Sequence, residues 1–416
     1  MPKGVGDIPE LRLEVLTDFV TKWMTPPELM LSGLFPESDS PSDTIKWESK
    51  EGGRGMAPFV APGSPAPLTF PYGIAQHEAK AAFWKEKMYF DETFLNNLRK
   101  EGSLQEYKGA TEILAENLAG LTNRSKRRKE WMLAKMLTAG SFSYNVQTGY
   151  KSTVDYGVRS SHIVSLAADY YWSNGTSRDI IEDISDGKQV IADDCGSKVD
   201  LALCNSTVLK YLANDPTLLT LLQKSTFGSG DLFKGNLHKI IGVNPNVVAS
   251  LLDIPNLVIY DELYEVRANL TAAVTGSSTV AISVDDVSDF EVGGTLRFVD
   301  VSAGTYEDET IASISVEGGT VTVSSAPTAS FKANEDYVVM YRKFVPDNTF
   351  VLAATRVDGR PIAEFKRAPF GNTRGYGLKP DRWEEKDPEG VWIRVQDKGL
   401  PILKQRDAVY ILTVAA

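Results

Sequence analysis

The chain has 416 residues, of which 42% are hydrophobic and 24% charged, and its formal net charge is −11. This length is enough for two or three domains with a sizeable core, and the acidic balance excludes a general polyanion binder. No apolar run is long enough to span a membrane, and the N-terminal residues lack the basic, apolar and small-residue order of a signal peptide.

Cysteine and histidine usage argues against a redox or metal centre. Cys195 and Cys204 are the two cysteines, and they fit a reducing compartment, where we expect buried thiols. His77, His162 and His238 lie far apart and form no metal-binding spacing, so structural roles are favoured over metal ligation. The sequence therefore predicts neither a cofactor nor a metal site.

Residues 1–37 are predicted to form an N-terminal arm with one short helix. Apolar residues recur at helical spacing before the proline pair at 26–27 ends the pattern. They are Leu13, Leu16, Phe19, Val20 and Trp23. An apolar strip on a short terminal helix must dock, either on its own body or on a neighbouring molecule.

Residues 38–76 are predicted to form an extended loop. Residues 44–48 alternate like a strand, and the following stretch is rich in glycine and proline, which excludes a helix. The loop is nevertheless too apolar to stay in water, which predicts a partner surface on an adjacent subunit. The residues expected to make that contact are Arg54, Met56, Phe59, Val60, Leu68 and Phe70.

A long helix over residues 110–138 is the central predicted element. Good helix formers dominate it, no proline interrupts it, and its length of about 43 Å exceeds the width of a small domain. Its middle carries a basic cluster of Arg124, Lys126, Arg127, Arg128 and Lys129. Two interpretations stay open, a solvated helix face, or pairing with carboxylates of a neighbouring subunit together with contacts to nucleic acid.

Residues 166–267 read as an α/β layer. A helix is predicted from Ser177, which can cap it, to Gly196, followed by a buried strand over residues 199–206. A short helix capped by Ser206 or Thr207, a helix started by residues 215–216 and a strand over 256–261 complete the layer. Adjacent helical residues point about 100° apart, so Asp193 and Asp194 are interpreted as a solvated helix end.

Three carboxylates follow the last of these strands, where α/β sheets often hold ligands. They are Asp261, Glu262 and Glu265. No nucleophile–base pair, nucleophile elbow or phosphate-binding loop accompanies them, so a structural role is favoured.

Residues 268–341 differ in composition from the rest of the chain. The segment has eleven acidic residues against Arg297 and Lys332, for a net charge of −9, and it contains none of the seven tryptophans. Short alternating stretches separated by glycine and aspartate turns predict an inserted acidic barrel or sandwich of five or six strands. Nucleic-acid phosphates would repel a segment of this charge.

Three motifs carry a family resemblance, in the same order and at comparable spacing. The stretches MAPFVAPGSPAP at 56–67, NRSKRRKEWMLAKMLTAG at 123–140 and FVPDNTFVLAAT at 344–355 resemble segments of the major capsid protein E family of tailed double-stranded DNA phages. The resemblance implies an α+β fold of the Hong Kong 97 type.

The same resemblance implies a division of the chain. The arm and the extended loop would precede a peripheral domain at 77–165 and 344–400, which contains the long helix as its spine. An axial domain and closing strand would occupy 166–267 and 401–416. The plain family lacks the insert at 268–341, so the resemblance implies nothing about it.

The implied function is that of a major capsid protein, without enzymatic activity, that forms pentamers and hexamers of an icosahedral shell around double-stranded DNA. The implied partners are a separate scaffolding protein, a portal, a decoration protein and non-specifically bound packaged DNA, with assembly in the host cytoplasm. Scaffolding is assigned to another protein because no long charged helical stretch precedes the arm. The alternatives are an encapsulin-like cage and a soluble enzyme or ligand-binding protein that carries a β module.

Overall fold

The computed structural model describes residues 13–22, 26, 28–50, 56, 59–60, 63, 65, 68, 74–91, 104–147, 150–175, 177–224, 245–287, 289–371, 374–387 and 389–415. Within them, helices α1 to α6 span Leu13–Lys22, Leu104–Ala139, Ile180–Cys195, Ser206–Ala213, Pro216–Lys224 and Pro245–Leu251. None of these helices is long and apolar enough to cross a membrane.

Strands of the described residues are numbered in chain order. Strands β1 to β9 span Glu37–Asp39, Thr44–Lys50, Ile74–Lys80, Ala82–Asp91, Ser141–Gln147, Tyr150–Asp155, Ile163–Ser165, Leu201–Cys204 and Asn256–Ile259. Strands β10 to β15 span Leu263–Asn269, Ala281–Ser283, Thr295–Asp300, Thr305–Ser315, Thr320–Val323 and Tyr337–Lys343. Strands β16 to β22 span Thr349–Ala353, Arg356–Val357, Arg360–Pro361, Ala363–Arg367, Lys379–Lys386, Glu389–Leu403 and Val409–Thr413.

The chain divides into two compact units, Met1–Tyr260 with Asp347–Ala416, and Asp261–Pro346. The first unit contains a sheet in the order β1-β19-β21-β20, with β4 also paired to β21. Helices α1 and α2 cover one face of this sheet through one apolar cluster. The cluster comprises Leu16 and Val20 of α1, Leu118 and Leu121 of α2, Phe90 of β4, and Val391, Ile393 and Val395 of β21. Leu16, Phe19 and Val20 of the predicted apolar strip therefore dock on their own chain, whereas Leu13 is exposed and Trp23 lies outside the described residues.

The spine helix α2 begins six residues before the predicted start and ends one residue after the predicted end. Its 36 residues extend about 54 Å. Its last turns are buried on nearly every side, with Met132, Leu133, Met136 and Leu137 each at most 1% exposed. Gly140, which has φ +66°, follows the helix and allows the chain to turn into β5.

A second sheet in the first unit has the order β7-β22-β16-β8-β9. The pairs β7–β22 and β8–β9 are parallel and the remaining pairs are antiparallel. Helix α3 packs closely on this sheet at Gly187, where an added Cβ would lie 2.9 Å from side-chain atoms of Leu352 and Tyr410. A larger residue at this position would hold the helix away from the sheet.

The predicted helix caps are each displaced by one or two residues. Asp179, not Ser177, caps α3, because its carboxylate accepts a hydrogen bond from the Glu182 amide at 3.1 Å. Asn205, not Ser206 or Thr207, caps α4 by accepting from the Val208 amide at 3.0 Å. Both segments contain several residues with capping side chains, and sequence alone does not select among them.

The second compact unit is a sheet of six strands in the order β10-β15-β12-β13-β14-β11. Its buried residues include Val266, Leu296, Phe298, Val338 and Met340. Strand β10 alternates buried and exposed residues with the period of two of β-strands, whereas Val338, Val339 and Met340 of β15 are all buried. The unit is longer than the predicted segment 268–341 at both ends, because β10 and β15 pair over their full length from Leu263–Lys343 to Asn269–Tyr337.

Two predicted segment boundaries fall inside strands. The boundary at 76–77 lies within β3, and the boundary at 400–401 lies within β21, which continues to Leu403. The predicted tight turn at residues 356–360 is confirmed as the β17–β18 hairpin, in which Asp358 and Gly359 have φ of 50° and 73°.

Candidate assembly surfaces

The predicted extended loop is carried by a β-hairpin. Strands β2 and β3 pair in antiparallel register from Thr44–Lys80 to Lys50–Ile74, and the loop connects their far ends. Within the hairpin, Trp47 stacks on His77 with ring centroids 5.4 Å apart. Trp47 is 6% exposed and also packs on the buried Tyr156, with ring centroids 6.2 Å apart, which fixes the hairpin to the body of the unit. Ser49 also lies within hydrogen-bond distance of His77 Nε2, at 2.9 Å.

The apolar side chains of the loop lie in solvent. Met56, Phe59 and Leu68 are 92%, 106% and 82% exposed, and Val60 is 53% exposed. Arg54 and Phe70, which were predicted to share this contact, lie outside the described residues. Full burial of each exposed apolar side chain would contribute about 1.5–3 kcal/mol. Contact of these loop residues with another molecule would therefore be favourable.

The basic cluster of the spine helix makes several contacts within its own chain. Arg124 pairs with Glu86 at 3.0 Å, and Lys129 pairs with Glu37 while its ammonium lies 4.6 Å from the centre of the Phe365 ring. Arg128 lies over Trp131 at 5.1 Å. Arg124 and Lys129 therefore each have a carboxylate partner in the same chain, a pairing that neither of the two interpretations from sequence included.

Lys126 and Arg127 complete the cluster. Burial and the neighbouring Lys129 charge lower the pKa of Lys126, which lines a cavity of about 600 Å³ beside the spine helix. The same cavity is lined by Asp397, whose pKa is raised to about 6 by burial. Arg127 is exposed on the helix surface. The cluster thus wraps around the helix and forms no single patch.

Glu130 is a buried polar centre that sequence reasoning missed. Its carboxylate accepts hydrogen bonds from the amides of Leu31 and Ser32, at 2.6 and 2.8 Å, and from the Ser32 hydroxyl. The Tyr260 hydroxyl donates a further bond at 2.9 Å. The residue is 0% exposed and ties the segment after α1 to the spine helix. Glu130 directly follows the basic cluster in sequence, and its local pattern carries no signal of a buried role.

A second network corrects the interpretation of residues 193–194. Asp193 is exposed, but Asp194 accepts from His162 Nε2 at 2.8 Å, with Arg159 Nη1 at 3.4 Å. His162 Nδ1 lies 3.0 Å from the Val409 carbonyl oxygen, and Arg159 Nε lies 3.0 Å from Asp407. Asp194 therefore belongs to an internal charge network and not to a solvated helix end.

Metal-binding geometry is not found in the described part of the chain. No group of three or more histidine, cysteine, aspartate or glutamate residues there is arranged to hold a metal ion. Cys195 and Cys204 are buried thiols. The described residues instead form a long helix that packs on two sheets and a hairpin that carries exposed apolar residues.

The profile of the phage major capsid protein E family matches residues 12–297 of the chain. The chain belongs to this family. It is therefore a capsid protein of a tailed phage, with a structural role in a multi-subunit shell, and its place is the virion capsid. No curated protein matches the sequence.

Solved structures resemble the capsid protein over nearly its whole length at low identity. A protein assigned as a prophage capsid protein of Escherichia coli CFT073 is similar with a TM-score of 0.53 and 12% identity, covering 97% of this chain and 99% of that chain. A phage-related protein of Bordetella bronchiseptica RB50 has a TM-score of 0.49 and 10% identity, with 97% of each chain covered. The mature capsid of bacteriophage PhiM1 has a TM-score of 0.43 and 9% identity, covering 94% and 87%. The first likeness shows a mixed α/β capsid fold.

Proposed function

We propose that the capsid protein assembles into pentamers and hexamers of an icosahedral shell that encloses double-stranded DNA, through a fold of the Hong Kong 97 type. Residues 1–37 serve as the arm, 38–76 as the extended loop, and 77–165 with 344–400 as the peripheral domain. Residues 166–267 with 401–416 form the axial domain, and 268–341 are an insertion. The chain does this as a structural protein without catalysis.

The exposed apolar residues of the extended loop carry this proposal. Met56, Phe59 and Leu68 project from a hairpin that is fixed through the contact of Trp47 with Tyr156. A monomer that keeps these side chains in water forgoes several kcal/mol that burial against an adjacent subunit would recover. The spine helix is rigid and keeps the contact surface in a fixed orientation within the subunit. The same contact, repeated between neighbouring subunits, then closes the shell.

The remaining partners follow from the same function. A separate scaffolding protein and a portal direct assembly in the host cytoplasm, a decoration protein binds the finished shell, and packaged DNA contacts the subunit without sequence preference. The acidic insertion lies on the outer surface, because phosphates inside the shell would repel it. There its charge keeps particles apart in solution.

Substitution of Phe59 tests the assembly contact. Phe59→Asp is expected to abolish closed shells in negative-stain electron microscopy while the circular dichroism spectrum stays that of the wild type, because a carboxylate at a buried contact costs several kcal/mol. Phe59→Leu is the matched control and should still assemble. Normal particles from Phe59→Asp would refute the role of the loop.

The content of the particles tests the second part of the proposal. Shells purified from infected cells should hold nuclease-protected double-stranded DNA. Particles that hold protein cargo and no nucleic acid would instead favour the encapsulin-like alternative.

A further inference from the structure

The sheet that contains β4, β20 and β21 has a second face that is not packed against α1 and α2. Because side chains alternate along a strand, residues next to those of the core cluster point to the opposite side. Cross-strand register aligns them in rows, first Trp383–Trp392–Tyr89, then Asp381–Arg394–Lys87, then Lys379–Gln396–Lys85. We call these three rows the aromatic–cationic face.

The first row is an ordered aromatic surface. The Tyr89 and Trp392 ring centroids are 4.6 Å apart, and Trp392 stacks on Trp383 at 5.9 Å with 12° between the ring planes. Trp383 is 36% exposed, although large aromatic side chains are normally withdrawn from water. Gly390 makes the row possible, since an added Cβ there would lie 2.5 Å from the Tyr89 ring.

The other rows carry positive charge. Lys87 Nζ lies 3.8 Å above the Trp392 ring, and Arg394 lies 5.4 Å from the Trp383 ring while pairing with Asp381. Among the described residues, Lys85 and Lys87 have no carboxylate within ion-pair distance. Both lysines are exposed. The face is therefore positive on one side of the aromatic row, in a chain whose net charge is −11.

The opposite side of the aromatic row is acidic. Glu385 and Asp91 lie in the next register row, on either side of Gly390. Glu385 accepts a hydrogen bond from the Trp392 indole. The face is thus polarised along the strands, and a complementary ligand would be polarised in the opposite direction.

We propose that the aromatic–cationic face is a docking site for an acidic segment of a separate protein. An apolar or aromatic anchor of that segment packs on the aromatic row, and its carboxylates pair with Lys85 and Lys87. Tryptophan, tyrosine and arginine are the residues that dominate the binding energy of protein interfaces. Unpaired lysines at the edge of such a site select a negatively charged partner.

Nucleic acid fits the aromatic–cationic face less well than an acidic protein segment does. Duplex DNA keeps its bases stacked inside, so it would engage the lysines and leave the aromatic row without a partner. A single strand would stack successive bases on successive rings, but Lys87 covers the Trp392 ring, so Trp383 at the edge of the row is accessible to one anchoring side chain and not to a run of bases. The aromatic row therefore favours a protein partner.

Binding of defined polymers to the unassembled full-length chain tests the proposal. The probes are a random glutamate–tyrosine copolymer, polyglutamate and a short DNA duplex, each measured by fluorescence anisotropy at two salt concentrations. The copolymer should bind more tightly than either other probe. K85E/K87E should weaken copolymer binding on the order of tenfold, which corresponds to about 1.4 kcal/mol.

Two further variants complete the design. K198E/K210E makes the same charge change at exposed lysines elsewhere and should leave binding unchanged. Trp383→Ala should weaken binding of the copolymer and leave binding of polyglutamate unchanged. Equal binding of copolymer and polyglutamate, tighter binding of DNA, or no effect of K85E/K87E would each overturn the proposal. So would loss of self-association in K85E/K87E, which would assign the face to a second copy. Because the assay uses unassembled chains, its failure leaves the Phe59 test of shell formation unaffected.

Discussion

Glu130 is the residue on which the attachment of the N-terminal region depends most. Its buried carboxylate accepts four hydrogen bonds, from Leu31, from the amide and hydroxyl of Ser32, and from Tyr260. A neutral amide would keep the shape of the side chain but would turn an N–H₂ group towards N–H donors.

Glu130→Gln is therefore expected to destabilise the protein by about 2–4 kcal/mol, because hydrogen bonds to charged groups contribute about 1.5–3 kcal/mol each and one oxygen is lost. The free energy of unfolding in urea measures the effect. Glu116→Gln, at an exposed position of the same helix, is the control and should change stability little. Equal stability of Glu130→Gln and the control would contradict the role of the network.

Asp397 gives a residue-scale prediction about pH. Burial raises the pKa of its carboxyl from 3.8 to about 6, so the folded state holds this proton more tightly than the unfolded state. The stabilisation from the protonated form is complete below the unfolded pKa, and it is lost as pH rises through about 6. At neutral pH the buried charge costs up to about 3 kcal/mol.

Asp397→Asn should therefore raise the melting temperature at neutral pH, and its advantage should shrink as pH falls through about 6 and disappear near about pH 3, where the wild-type carboxyl is largely protonated in both states. The Asn side-chain oxygen can still accept from the Lys398 amide, as Asp397 does at 2.7 Å. Asp193→Asn, at an exposed position, is the control. A stabilisation that did not change with pH would rule out this explanation.

Two glycines within helices show how packing decides the effect of one substitution at the scale of an element. Gly120 lies exposed in α2 with no atom within 4 Å of an added Cβ. Gly187 lies in α3, where an added Cβ would come within 2.9 Å of Leu352 and Tyr410 in the sheet. The helix propensity gained from alanine is the same in both helices, so any difference must come from packing.

Gly120→Ala should raise the free energy of unfolding by up to about 1 kcal/mol, because alanine has the higher helix propensity. Gly187→Ala should lower it by about 1–2 kcal/mol, since overpacking costs about 1–3 kcal/mol and exceeds the propensity gain. Urea denaturation of the two variants side by side measures both. Stabilisation by Gly187→Ala would mean that α3 can shift away from the sheet at little cost.

At the scale of the whole molecule, the division into two compact units predicts that the smaller one can be removed. The chain enters and leaves it side by side, because Leu263 pairs with Lys343 and the Phe344 amide donates to the Glu262 carbonyl oxygen at 3.2 Å. A short glycine-rich link from Glu262 to Phe344 should therefore leave the remaining unit folded.

This deletion should retain the helical circular dichroism signal and a cooperative urea transition, with a smaller m-value because less surface is exposed on unfolding. Shells should still form, with lower stability. Electron microscopy and denaturation together measure the outcome. A deleted chain that folds but never assembles would show that residues 261–346 take part in the shell contacts.

The sequence by itself determined the elements whose signals are local. The spine helix follows from an uninterrupted run of helix formers, and the hairpin at 356–360 follows from its Asp-Gly pair. Family membership was also readable from sequence, because three ordered motifs carry it. These features depend on residue type and spacing, and none of them depends on contacts between residues that are distant in sequence.

Only the tertiary structure decided which charged and aromatic residues act together. Asp194 was interpreted as a solvated helix residue and Glu130 carried no signal of burial, because their partners at Leu31, Tyr260 and His162 lie far away in sequence. The caps shifted to Asp179 and Asn205 because several neighbouring side chains can each cap a helix. The aromatic–cationic face arises from the register of three strands, β4 lying nearly 300 residues before β20. Burial and long-range pairing, unlike local propensity, depend on the completed fold.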